Sequence, residues 1–98
     1  MRKRTAKHRH YSRHAIRRLN ERYGIKADIS VLNGMRNMIT RGDTVCVQNQ
    51  TNTRKLHKLK WEDQTIFAIY NKSTNSIVTV LTPEQAKRTI EGHHTKFE

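Results

Sequence analysis

Residues 65–82, TIFAIYNKSTNSIVTVLT, decide the fold of this chain. Two runs rich in β-branched and aromatic residues flank the polar segment KSTN at 72–75. This arrangement is typical of two antiparallel strands joined by a tight turn. Because residues of a strand alternate between its two faces, both faces of this hairpin are partly apolar. One face is expected to meet the helices and the other to be a concave ligand surface, and the pattern does not say which is which.

Two further strands are expected directly before this hairpin. The segments DTVCVQNQ (43–50) and RKLHKLKW (54–61) are short runs with alternating character. They are followed by the polar connections TNT and EDQ, which are of the hairpin type. The sequence therefore predicts an antiparallel meander of four strands.

Two helices are expected before the meander. The first begins at Ser12, a good N-cap, and ends before Gly24, which supplies a left-handed stop. The second begins after the N-cap Asp28 and ends at Gly42. Gly34, in the middle of this second helix, weakens its helical pattern.

A third, short helix is expected after the last strand. Thr82 is its cap, Pro83 occupies the first helical position and Gln85 closes a capping box. The predicted fold class is α+β: two N-terminal helices followed by a four-stranded antiparallel β-meander and a short C-terminal helix, with the helices on one sheet face. The expected organisation is a basic N-terminal arm at 1–10, a single α+β domain at 11–91 and a C-terminal tail at 92–98.

The overall composition excludes several classes of protein. A chain of 98 residues is one domain with a modest core. No apolar run approaches the roughly 18 residues of a membrane span, and the N-terminal segment lacks the apolar core of a secretory signal. The single cysteine, Cys46, permits no intrachain disulfide. These features predict a cytoplasmic protein with no membrane partner.

Positive charge is the strongest feature of the composition. Twenty Lys and Arg residues against eight Asp and Glu residues give a net charge of +12 and a pI near 10.6. Ten of the twenty lie before position 27, where Glu21 is the one acid. Such a field attracts a phosphate backbone, so nucleic acid is the expected partner, with a solvated tail as the alternative interpretation of the arm. The candidate nucleic-acid-binding residues are Arg2, Lys3, Arg4, Lys7, Arg9, Arg13, Arg17 and Lys58.

The first helix combines this charge with an apolar face. His14, Arg18 and Arg22 are four residues apart, so they form a stripe along one side, beside the apolar face that starts at Ala15. In that position an imidazole can move protons while guanidinium groups hold a phosphate. The alternative is that the three side chains extend along the helix edge and Glu21 pairs with a neighbouring arginine.

Two segments resemble a known group of proteins. RHAIRRLNERYGI (13–25) resembles a first-helix pattern His-Ala-x-x-Arg-x-x-Glu-Arg followed by Gly-Ile, and IFAIYNKSTNSIVTVLTP (66–83) resembles a closing hairpin. Both patterns are similar to those of small ribonuclease-like domains, the group of barnase, EndoU, colicin D-type tRNases and RelE-type toxins. The similarity spans less than half of the chain, and it implies the same order of helices and meander.

The resemblance also implies a catalytic site, formed by His14, Arg18 or Arg22, Thr79 and, near by, Tyr70. The implied activity is that of a toxin-like, metal-independent endoribonuclease, in which the RNA 2′-OH attacks the phosphate and leaves a 2′,3′-cyclic phosphate. His57 or Lys58 is a weaker candidate for the second proton carrier, and the favoured interpretation of His57 is a surface histidine on the second strand.

No cofactor is expected, because the histidine pairs near the two termini lack the carboxylates or cysteines that would complete a metal site. Trp61 is either a core residue or a base-stacking platform. Two alternative functions remain open. One is a non-catalytic nucleic-acid-binding regulator of phage or mobile-element type, and the other is a basic module that binds an acidic protein, such as an inhibitor.

Overall fold

A computed structural model of the chain describes the backbone of residues 2–96 and the side chains of residues 13–91. The predicted α+β class and the order of its elements are confirmed. The elements are α1 (Arg2–Tyr23), α2 (Ile29–Arg41), β1 (Val45–Asn49), β2 (Arg54–Trp61), β3 (Gln64–Asn71), β4 (Ser76–Leu81) and α3 (Pro83–Lys96).

The first helix is longer than the sequence suggested. It begins at Arg2, so Ser12 lies inside it and is not an N-cap, and the expected arm and domain share one continuous helix. The segment contains no proline or glycine and is rich in Arg and Lys, which are good helix formers. The predicted stop is confirmed, because Gly24 has a φ of +65° and its N–H donates to the Asn20 carbonyl at 3.1 Å.

The caps predicted for the other two helices are present. The Asp28 carboxylate accepts the Val31 N–H at 3.0 Å at the start of α2, and Gly42, with a φ of 83°, ends that helix. At α3, Thr82 and Gln85 bond each other's backbone N–H groups through their side chains, at 3.0 and 3.1 Å. This reciprocal pair is the expected capping box. The helix is longer than expected and takes in part of the segment predicted as a tail.

The glycine inside α2 has a packing role. A Cβ built at Gly34 would lie 2.8 Å from Cη2 of Trp61, closer than real side chains approach one another. Glycine therefore lets the α2 backbone lie directly against the indole ring at the end of β2. Trp61 in turn packs against the core, which confirms the core interpretation of this residue.

The four strands form an antiparallel sheet in the order β1-β2-β3-β4. Leu59 pairs with Ile66, and Ala68 pairs with Val80, so these four buried side chains share one face. We call it the inner face, because the buried residues of α1 and α2 pack on it. The core consists of Ala15, Leu19, Leu32, Met35, Ile39, Leu59, Ile66, Ala68, Ile77 and Val80.

The third helix lies on the opposite, outer face of the sheet. Leu56 pairs with Gln48 of β1 and Ile69 of β3, and alternation places this row opposite the inner core. The Gln48 amide donates to the Thr89 carbonyl of α3 at 3.4 Å. The expectation that all helices share one sheet face is therefore wrong. The physical reason is that the outer face also carries apolar residues, and Leu56 and Ala86 are both buried.

We expect Gly34→Ala to destabilise the protein by about 1 to 3 kcal/mol, the usual cost of overpacking. We expect this loss of stability even though alanine stabilises an exposed position inside a helix by about 1 kcal/mol relative to glycine. Denaturant unfolding monitored by circular dichroism measures the change. Adding Trp61→Leu should recover part of the loss in a double-mutant cycle, because it removes the opposing ring. A Gly34→Ala variant as stable as the parent would contradict this packing account.

Candidate nucleic-acid interface

The described part of α1 divides into three sides along its length. Ala15 and Leu19 are fully buried against the sheet, whereas Arg13 and Arg17 are exposed. Between these two sides lie His14, Arg18 and Arg22, which are all half-buried. The predicted stripe of one imidazole and two guanidinium groups therefore lies at the edge of the core. The side chains of Arg2, Lys3, Arg4, Lys7 and Arg9 lie outside the described side chains.

Both stripe arginines have partners within the protein. The Arg22 Nη1 donates to the Val80 carbonyl of β4 at 2.6 Å, which ties the end of α1 to the sheet. The Arg18 Nη1 forms an ion pair with Glu21 at 2.8 Å, the local pairing that the sequence left as an alternative. The Arg18 Nε is buried and has no hydrogen-bond partner among the described residues. Arg22 keeps further N–H groups for a ligand, since a guanidinium has five.

The hydroxyl of Tyr23 joins α1 to two strands. It accepts the Phe67 N–H at 3.2 Å and donates to the Leu81 carbonyl. Burial raises the pKa of Tyr23 above its ordinary value of 10.0, and the Phe67 N–H and the Arg22 charge oppose that rise. The helical spacing of the sequence predicts Tyr23 on the apolar side of α1, but a tyrosine in the last turn of a helix has no local signature of such a bridge.

A second group of polar side chains meets on the inner face. The rings of His57 and Tyr70 are in edge-to-face contact, with centroids 6.0 Å apart and planes at 88°. His57 Nδ1 lies 2.9 Å from the Thr44 hydroxyl, and the Tyr70 hydroxyl donates to the Asn75 side chain at 2.5 Å. We call His57, Tyr70 and Thr44 the His–Tyr cluster. The sequence favoured a surface position for this histidine, but the structure half-buries it.

Burial and neighbouring charges shift the pKa of both rings in this cluster. Burial lowers the pKa of His57, and the nearby Lys55 charge lowers it further, so the ring is neutral at pH 7 and able to accept a proton. Burial raises the pKa of Tyr70, and the Arg36 guanidinium opposes that shift, so the phenol keeps its proton. The cluster thus combines an imidazole, a phenol and a hydroxyl, and the charges of Lys55 and Arg36 act on it from outside.

The structure separates two of the residues that the resemblance placed together. Tyr70 packs against the inner core that α1 covers. Thr79 pairs with Ile69 and precedes the inward-facing Val80, so it lies on the outer face. Tyr70 and the His14 stripe therefore belong to the same side of the sheet, whereas Thr79 does not. A β-bulge after Ile69 shifts the register of β4, which sequence alternation alone does not reveal.

Lys58, the candidate phosphate contact outside α1, also lies on the outer face. It is exposed, and it pairs with Val45 and Phe67 in the sheet. Among residues with described side chains, no group of three or more His, Cys, Asp or Glu is placed to hold a metal ion. No helix in the described part of the chain is long and apolar enough to cross a membrane.

Comparison of this chain with protein-family models, curated proteins and solved structures found no match. The charge and contacts of its own residues are therefore the basis for assigning a function.

We expect Tyr23→Phe to destabilise the protein at pH 7 by about 1 to 3 kcal/mol, because the Phe67 N–H and Leu81 carbonyl are both left without their partner. Tyr70→Phe is the matched control, and it should cost less, since its partner Asn75 is exposed to water. Denaturant unfolding of both variants measures the difference, and equal losses of stability would contradict the anchoring role of Tyr23.

The hydrogen bonds of the Tyr23 hydroxyl also predict that the stability of the protein depends on pH in the alkaline range. The folded state holds the Tyr23 proton more tightly than the unfolded state, so its contribution is complete below the ordinary pKa of 10.0 and is lost as pH rises through the higher folded value. The stability of the parent should therefore fall more steeply above pH 10 than that of Tyr23→Phe. Parallel slopes in unfolding measurements across this range would contradict the assignment.

Proposed function

We propose that this protein binds RNA along α1. The observation that carries the proposal is the division of that helix between an apolar side that builds the core and an exposed side with arginines. The helix holds nine Lys or Arg residues and one acid within 22 residues. At 1.5 Å per residue it is about 33 Å long, which presents this charge as a rod to a polyanion.

The expected salt dependence of RNA binding follows from this charge. Exposed guanidinium groups bind phosphate through bidentate hydrogen bonds and displace condensed counterions, so the affinity should fall steeply with salt. Arg13 and Arg17 are the most accessible of the described arginines on α1, and neither forms an ion pair with a carboxylate among the described side chains. An acidic protein that meets the same surface would give a weaker salt slope, because it carries no condensed counterions.

A second candidate function, metal-independent RNA cleavage, is favoured by the His–Tyr cluster. Its imidazole and phenol lie on the inner face, on which both α1 and α2 pack, and His14 lies half-buried on α1 itself. RNA rather than DNA is the substrate of such chemistry, because RNA carries its own nucleophile. This candidate explains why a binding helix would keep a histidine beside two arginines.

The proposed reaction is a transesterification within the RNA backbone. A neutral imidazole removes the 2′-OH proton, the 2′-oxygen forms a bond to phosphorus, and the P–O5′ bond breaks. A second group protonates the departing 5′-oxygen, which leaves a 2′,3′-cyclic phosphate and a 5′-OH end. His14 and His57 are the proposed proton carriers, with Tyr70 as a hydroxyl donor. Arg18 and Arg22 would hold the phosphate charge, and Thr79 is left out because it lies on the outer face.

We expect the double variant Arg13→Ala/Arg17→Ala to bind single-stranded RNA more weakly and to lower the salt slope by up to about 0.7 for each phosphate that the variant no longer neutralises. Fluorescence anisotropy with labelled RNA and DNA oligonucleotides, over a series of salt concentrations, measures both effects. Arg88→Ala is the control, since Arg88 is exposed on α3 and pairs with Glu84. An equal weakening in the control, or no binding by the parent, would contradict the α1 interface.

Cleavage is tested with total RNA and the purified protein, with and without a chelator. We expect cyclic-phosphate ends in both conditions, and a loss of about 10²-fold or more in His14→Ala, the usual size of a general acid–base contribution. Binding by this variant should stay nearly intact. Asn20→Ala, exposed on the same helix, is the matched control. If the parent binds RNA but never yields cyclic-phosphate ends, the cleavage candidate is wrong and the binding proposal stands.

A further inference from the structure

A cavity of about 430 Å³ lies between the α1–α2 connection and the turn that joins β2 to β3. Its volume falls within the range of roughly 300 to 1,000 Å³ that is typical of small-ligand sites. The residues that line it include Ile25, Lys26, Trp61, Glu62, Asp63 and Gln64. None of these residues takes part in the interface or the cluster described above.

The wall of this cavity suits a flat aromatic ligand. The far edge of the Trp61 indole is held against Gly34, so the ring has a fixed place, and Ile25 packs beside the same core. A rigid indole that also faces a cavity is a stacking surface for a nucleobase, and stacking is worth about 1 to 3 kcal/mol for each base. Trp61 therefore combines a core contact with an open side.

Two carboxylates also line the cavity. Glu62 and Asp63 are two of the eight acids in a protein of net charge +12, and ionised carboxylates only accept hydrogen bonds. Glu62 also has a φ of +55°, a left-handed backbone conformation that residues other than glycine and asparagine seldom adopt. The turn thus holds a carboxylate where a glycine would fit more easily. Lys26 supplies one cation, which suits a phosphate attached to the base.

We infer that this cavity receives one nucleobase of the RNA strand bound along α1, with guanine preferred. Guanine presents two adjacent donors, N1–H and the N2 amino group, which match the two oxygens of one carboxylate. Adenine and cytosine place an acceptor beside a single amino donor, and uracil has one donor between two acceptors. The inference rests on the proposed RNA binding. Gly24 and Lys26 line the cavity and lie just after Tyr23, the last residue of α1, so the cavity is next to the end of that helix.

The single tryptophan of the chain allows a direct test, because all indole fluorescence reports on this cavity. We expect GMP to quench the fluorescence with saturation, and UMP to need about tenfold higher concentration for half of the effect, the discrimination of one well-formed bidentate contact. The double variant Glu62→Gln/Asp63→Asn should reduce this preference to about threefold or less. Glu84→Gln on α3 removes an exposed carboxylate elsewhere and should retain the full preference.

Equal quenching by GMP and UMP, or an unchanged preference in the double variant, would overturn the inference. Both substituted residues are exposed, so the variant is expected to fold, and circular dichroism checks this. The outcome also separates the two proposals. If RNA binding depends on Arg13 and Arg17 but GMP and UMP quench equally, only the inference about the cavity is wrong. If GMP quenches preferentially but RNA does not bind along α1, only the proposed function is wrong.

Discussion

The attachment of the end of α1 to the sheet is the interaction on which the rest of the structure depends. The Tyr23 hydroxyl bridges the Phe67 N–H and the Leu81 carbonyl, and Arg22 donates to the neighbouring Val80 carbonyl. These bonds hold the last turn of the helix against β3 and β4. They matter because the helix offers the core only a narrow strip of apolar residues. The polar contacts at its end supplement this strip and fix the rotation of the helix.

That fixed rotation lets one helix carry two opposed properties. Ala15 and Leu19 are fully buried, and Arg13 and Arg17 on the opposite side are exposed. Mutual repulsion among cations opposes their concentration on one element, and a bound polyanion would relieve it. The half-buried stripe between the two sides is then the place where a ligand phosphate would meet groups whose orientation the core already restricts.

The proposed functional features depend on the packing of α1 and α2 on the inner face of the sheet. The His–Tyr cluster lies on the inner face, and the cavity at Trp61 lies where the connection after α1 meets the β2–β3 turn. Gly34 contributes to the cavity, since it allows α2 to lie directly against the Trp61 indole. The cavity is lined by residues that directly follow α1, whereas the cluster lies on β2 and β3. Lys58 and Thr79, on the outer face, belong to a different surface.

The sequence by itself determined the element order and most of the helix ends, because these are local matters. Asp28, Gly42 and the Thr82–Gln85 pair act over three or four residues, so their signals can be read without knowing the fold. The start of α1 was missed for a related reason: Ser12 looked like a cap, but nothing before it breaks a helix. Alternation likewise revealed the strands, and helical spacing placed the His14 stripe at the edge of the core.

Only the tertiary structure decided which groups meet. Both sheet faces are partly apolar, so alternation could not say that α3 covers the outer face or that Tyr70 and Thr79 lie on opposite sides. The bulge in β4 places Thr79 on the outer face. The pairing of β2 with β3 brings His57 to Tyr70 on the inner face. The bridge made by Tyr23 joins residues 44 and 58 positions apart. Contacts over such separations arise from the simultaneous packing of several elements, and no short stretch of sequence encodes them.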